Sequence, residues 1–175
     1  MKRSGVWLLT MCLLVAGCDE DNGDDNGPSD QPLVFTANMT AAQETTAVGG
    51  GEQNATGTAT VTITPTRDSS GAITGGTART QFTVQGLTST SSIILAHVHS
   101  GATGVAGPPV INTNLSAATA IPTPAGSASF DRSGLTFDNA AAVINAIVAN
   151  PAGYYFNVHT TANPGGVVRG QLQAQ

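Results

Sequence analysis

Residues 55–64 (ATGTATVTIT) alternate, position by position, between a small or apolar residue and threonine. Successive strand side chains point to opposite faces, so this period of two builds a half-buried strand with one apolar and one hydroxyl-bearing face. Threonine and valine add the β-branched preference for extended chain. Further strands are expected at residues 33–39, 78–84, 93–99, 110–115, 127–131, 154–160 and 167–173. Breaker-rich segments separate them, notably residues 65–71 and the Gly/Pro-rich stretch 100–109. Strands at this spacing predict an all-β antiparallel sandwich over residues 33–175. One short helix interrupts it. Asp138 caps residues 139–149, where Ala140, Val143, Ile144, Ile147 and Val148 form a broad apolar face, and Asn150-Pro151 ends it.

Charge narrows the function classes. Charged residues make up 10% of the 175 and the net charge is −5. Lys2 and Arg3 lie at the extreme N-terminus, leaving Arg67, Arg79, Arg132 and Arg169 as the remaining cations. Phosphate binding needs clustered Lys and Arg, so no nucleic-acid partner is expected. No phosphate loop, dinucleotide fingerprint or Ser-His-Asp set is present. Five acids remain from residue 33 onward, poor support for paired-carboxylate hydrolysis.

The N-terminus reads as an export signal. Lys2 and Arg3 precede an apolar run at residues 6–16, too short to span a bilayer as a helix. It ends in Val15-Ala16-Gly17-Cys18, which resembles a bacterial lipobox. The resemblance implies that residues 1–17 are removed and that Cys18 is lipidated. The protein is then expected in the bacterial cell envelope, with the membrane as a partner through the Cys18 lipid. Residues 18–32 carry that cysteine and an acidic tether of Asp, Glu, Asn and Gly with nothing to bury. Cys12 would leave with the signal, so the folded domain has no disulfide and relies on packing.

Three histidines stand in the chain, and all fall in expected strands. His97 and His99 are two apart and share a face, opposite Ile94, Ala96 and Val98. His159 shares a face with Asn157, opposite Tyr154, Phe156 and Val158. An H-x-H pair on one strand with a third histidine on another can build a three-nitrogen metal site. The alternative reading is structural: ring nitrogens that hold the glycine-rich loop by hydrogen bonds. Arg169 shares a face with Gln171 and either approaches His159 or pairs with a carboxylate such as Glu44. Gln43 and Glu44 either orient a histidine ring or are exposed strand residues. Tyr155 lies on the His159 face, with a packing role or a place near the metal.

The blocks Phe35-Thr36-Ala37, Ala42-Gln43-Glu44, Ala96-His97-Val98-His99-Ser100-Gly101, Asn157-Val158-His159-Thr160 and Arg169-Gly170-Gln171-Leu172 occur in that order. In this, residues 33–173 resemble a CHRD domain, the module named after chordin. The resemblance implies a β-sandwich and leaves the activity open. A weaker local resemblance is to the copper site of Cu/Zn superoxide dismutase, also a β-sandwich. It implies an immunoglobulin-like or dismutase-like Greek key. It also implies copper ligation by His97, His99 and His159, with Arg169 as the anion-guiding residue. The dismutase's zinc-ligand cluster and disulfide are missing. The expectation is therefore a mononuclear site, for copper rather than zinc, with a redox role. The alternative is a metal-independent module that binds a protein or glycan.

Overall fold

The computed structural model describes residues 31–175; the expected signal, Cys18 and the first part of the acidic tether lie outside the described residues. Ten strands form: β1 (Leu33–Thr40), β2 (Thr56–Arg67), β3 (Ile73–Gln85), β4 (Ser92–Ser100), β5 (Pro109–Asn112), β6 (Ile121–Pro122), β7 (Ser127–Leu135), β8 (Tyr154–Thr160), β9 (Val168–Gln171) and β10 (Gln173–Ala174). One α-helix, α1 (Ala140–Ala149), sits between β7 and β8. Among the described residues the fold is the expected all-β one with a single short α-helix.

The strands hydrogen-bond in the order β5-β4-β8-β9-β1-β2-β3-β7, with β6 on β4 and β10 on β1. All the pairings are antiparallel. The two halves of this path meet at β9 and β1 through the single pair Arg169↔Thr40. The sheet folds over there. Phe82 of β3 reaches Phe156 of β8 with ring centroids 5.7 Å apart, although the two strands are four places apart in the order.

The alternation in the sequence decides what lies between the layers. Ala59, Val61 and Ile63 of β2 are buried together with Phe35, Ala37 and Met39 of β1 and Phe82 and Val84 of β3. Ala96 and Val98 of β4 and Phe156 and Val158 of β8 close the core from the other side. Burying a large apolar side chain contributes about 1.5–3 kcal/mol, and no disulfide supplements it among the described residues.

Several local expectations are corrected. Strand β3 starts at Ile73, not at residue 78, because Gly75 and Gly76 continue the ladder opposite Thr66 and Pro65. Gly76 is needed there: a Cβ would lie 2.6 Å from the Thr64 carbonyl oxygen and 2.8 Å from Ile144 of α1. The turn shrinks to residues 68–71, where the Asp68 carboxylate accepts from the backbone N–H groups of Ser70 and Ala72. In β4 the register shifts between Ile93 and Leu95, so Ile93, not Ile94, enters the core. Helix α1 begins after Asn139, in the left-handed conformation at φ 52°, rather than after a capping Asp138. Its Ile144 and Ile147 are buried, while Val148 faces solvent at 47% exposure.

The seam between β9 and β1 tolerates no side chain at Gly170, where a Cβ would sit 2.3 Å from the Asn38 carbonyl oxygen. Gly170→Ala should therefore destabilise the domain by about 1–3 kcal/mol, measured by urea denaturation. An unchanged midpoint would contradict this packing.

Candidate metal centre

Strands β4 and β8 are buried on both faces. The inward face carries Ala96, Val98, Phe156 and Val158. The outward face is polar, and its residues follow from the ladder. His97 stands opposite Asn157, His99 opposite Tyr155, and Leu95 opposite His159, so all six share one side. Arg169 and Gln171 of β9 continue the rows from Asn157 and Tyr155. This face is nonetheless shielded from water: His97, His99 and His159 are 8%, 9% and 8% exposed.

The H-x-H spacing puts His97 and His99 on one face, and the ladder brings His159 beside them. Ring centroids lie 5.2 Å apart for His97–His99, 5.3 Å for His97–His159 and 6.4 Å for His99–His159. One ligand nitrogen from each falls within 4.8 Å of the other two. Two loops fix the tautomers of His99 and His159. His99 Nδ1 lies 2.8 Å from the Gly107 carbonyl oxygen, and His159 Nδ1 lies 2.9 Å from that of Pro164. A carbonyl only accepts, so each Nδ1 carries the proton and, in a neutral ring, Nε2 keeps its lone pair. His99 Nε2, His159 Nε2 and His97 Nδ1 are all buried without a hydrogen-bond partner. For His99 and His159 both readings thus hold at once: one nitrogen ties down a loop and the other is left bare.

Electrostatics keep the rings neutral. Burial lowers the pKa of His97, helped by the charges that His159 and His99 would carry, to about 4. Burial also lowers His99, opposed by the Gly107 carbonyl and the Asn157 amide and aided by the Arg169 charge, and lowers His159, opposed by the Pro164 carbonyl. Neutral imidazoles with free lone pairs are the form that binds metal. Orphaned buried nitrogens are costly unless something accepts their lone pairs. The donor set fits a borderline transition-metal ion and, having no carboxylate or thiolate, does not fit calcium or magnesium.

Around the cluster the structure adds groups that sequence spacing left open. Tyr155 stacks on His99, with centroids 4.9 Å apart and 7° between planes. The Arg169 guanidinium carbon lies 3.4 Å from the centroid of the same phenol ring. Arg169 is 1% exposed, and its Nη2 donates to the carbonyl oxygens of Ala102 and Val105 and to Gln171 Oε1. It therefore reaches the histidines through Tyr155. It forms no ion pair with Glu44; the one ion pair among the described residues is Arg79–Asp131.

Glu44 follows a short 3-10 turn (Ala41–Gln43) instead of lying in a strand, and it neighbours Asn157. Burial pushes its carboxyl up to about 7, against the opposing pull of Arg169 and the Asn157 amide. Gln43 is bonded to Asn38 and Thr40 and is a local turn residue.

Glu52 was not singled out by any pattern in the sequence, yet it is fully buried. Its carboxylate accepts from the Thr88 N–H, the Thr160 hydroxyl and the Asn163 amide. Burial pushes its pKa up, but hydrogen bonds from Thr160, Asn163, Thr88 and Ser91 outweigh that and hold it below the ordinary value. Glu52 thereby fixes the 160–163 turn just before Pro164, whose carbonyl orients His159.

An all-β domain with a shielded cluster of three imidazoles, able to hold a metal ion, is the class that this fold and site define. Within it, the chain belongs to the CHRD domain family, whose model matches residues 35–172. No curated protein and no solved structure matches the chain.

The neutral state of the cluster gives stability a pH dependence. Unfolded His97 takes a proton as pH falls through about 6.5, whereas the folded ring resists until about 4. Stability is therefore lost as pH falls from 6.5 towards 4. Glu44 acts in the opposite sense: it holds its proton up to about 7, so its contribution is present at low pH and lost as pH rises from 4.5 to 7. In metal-free Glu44→Gln the offset is gone, and the thermal midpoint should fall steadily from pH 6.5 to 4. A flat profile would contradict a His97 buried in neutral form.

Proposed function

We propose that the protein is a lipid-anchored bacterial envelope protein whose CHRD domain binds one copper ion through His97 Nδ1, His99 Nε2 and His159 Nε2. The observation that carries this reading is that each of the three histidines keeps a buried, unpartnered ring nitrogen and that one ligand nitrogen of each lies within 4.8 Å of the other two. Copper is favoured over zinc because an all-imidazole set imposes no hard selection and the Irving–Williams order then prefers Cu(II). The anchor rests on Val15-Ala16-Gly17-Cys18. Among the described residues no helix is long and apolar enough to cross a membrane.

Bound copper would supply one-electron redox chemistry. The chain's own residues shape where that chemistry is accessible. His99 and His159 hold the Gly107 and Pro164 carbonyls, so the ligands and their covering loops are ordered together. Tyr155 fixes the His99 ring from one side and accepts a hydrogen bond from the Gly107 N–H at its hydroxyl. Arg169, which the dismutase resemblance offers as an anion guide, binds the 102–105 loop segment with Nη2. Its supported role is to clasp that loop and to set the charge behind His99.

Purified, signal-free protein should bind about one equivalent of copper, followed by competition against a chromophoric chelator. His97→Ala, His99→Ala and His159→Ala should each lower the affinity at least about a hundredfold, in line with loss of a ligand. Binding unchanged in all three variants would end the copper reading and leave metal-independent recognition of a protein or glycan. In direct competition Cu(II) should displace Zn(II); retention of zinc would redirect the assignment to a zinc site.

A further inference from the structure

The cluster contains no negative ligand, and a buried cation, Arg169, stands beside one of its rings. The guanidinium of Arg169 and the imidazole of His99 both lie against the Tyr155 ring, so a single aromatic ring links the cation to a ligand imidazole. Arginine keeps its charge in proteins. Its observed acceptors, two backbone carbonyls and the Gln171 amide oxygen, are neutral. At 1% exposure it is shielded from bulk solvent, where salt and water would otherwise screen it. Glu44 is the neighbouring acid, and burial favours its protonated form up to about pH 7.

We propose that Arg169, acting through the Tyr155 stack, biases the three-histidine site toward the lower charge state of copper, so that Cu(I) is held more tightly relative to Cu(II) than by the imidazoles alone. This rests on the copper reading above and adds a preferred oxidation state to it. The physical cause is charge repulsion: a fixed cation opposes the second positive charge of Cu(II) more than the single charge of Cu(I). At a separation of about 10 Å and an effective dielectric of about 20, one unit charge changes the ratio of the two affinities roughly tenfold. Arg169 is in this sense a positioning and tuning residue, not a ligand.

The test measures Cu(I) and Cu(II) affinities separately on the signal-free protein, each by competition with a chelator specific for that ion. It is run at pH 6, below the Glu44 midpoint, and the formal potential is checked by mediated redox titration. Arg169→Gln removes the charge and keeps an amide donor for the loop carbonyls. It should lower the Cu(I):Cu(II) affinity ratio about tenfold, equivalent to about 59 mV for a one-electron couple. Arg169→Lys keeps the charge and should hold the ratio within about threefold of wild type.

Thr40→Asp gives a second route that leaves the guanidinium in place. Thr40 pairs with Arg169 across β1 and β9, so an aspartate there sets a carboxylate beside the cation. It should move the ratio in the same direction as Arg169→Gln. Raised salt should leave the wild-type ratio nearly unchanged, because the charge is buried. An unchanged ratio in both Arg169→Gln and Thr40→Asp overturns the inference while copper binding stands. So does an equal shift in Arg169→Lys and Arg169→Gln, which would assign the effect to loop packing. Absence of copper binding in wild type, or binding that survives loss of all three histidines, overturns the copper reading and this inference with it.

Discussion

Everything around the site depends on β4 and β8 being covered on both faces. One face meets the apolar core, and the other lies under loop segments that shut out water. A polar face without water must satisfy its own donors and acceptors. The carbonyl oxygens of Gly107 and Pro164 do part of that work by taking the Nδ1 protons of His99 and His159. The same bonds leave the opposite nitrogens bare. Shielding, tautomer choice and metal competence are thus consequences of one arrangement.

The loops that supply those carbonyls are held from below by two charged side chains of opposite sign. Glu52 gathers Thr88, Thr160 and Asn163 around a buried carboxylate and so sets the turn that delivers Pro164. Arg169 collects the carbonyls of Ala102 and Val105 and fixes the segment that leads to Gly107. Gln171 strengthens this by donating to Gly101, Ala152 and Tyr154. The glycines fit the same logic of close approach: a Cβ at Gly107 would lie 1.7 Å from the Ser100 carbonyl oxygen. Neither charge has an ion-pair partner within reach among the described residues. Each is stabilised by several hydrogen bonds, which is how a lone buried charge is tolerated.

Much of this was legible because strand geometry has a strict period. Two histidines at i and i+2 must share a face, and the apolar residues between them must share the other. Strand parity sets His97, His99 and His159 opposite the core, and the ladder between β4 and β8 agrees. It failed where the ladder itself is irregular. The shift between Ile93 and Leu95 exchanged Ile94 for Ile93, and Gly75-Gly76 extended a strand through residues that usually end one.

By itself, the sequence determined the all-β class, the single helix, the inner core and the shared face of the histidine pair, because each follows from local periodicity or turn chemistry. Tertiary structure alone decided that His159 would close the cluster beside His97, since cross-strand register is a long-range property. It also decided the bare nitrogens, the burial of Glu52, the neighbourhood that raises Glu44, and the Arg169–Tyr155–His99 stack. These depend on which loop carbonyls and which rings meet after the sheet folds over at β9 and β1, and no spacing along the chain encodes a contact between segments that distant.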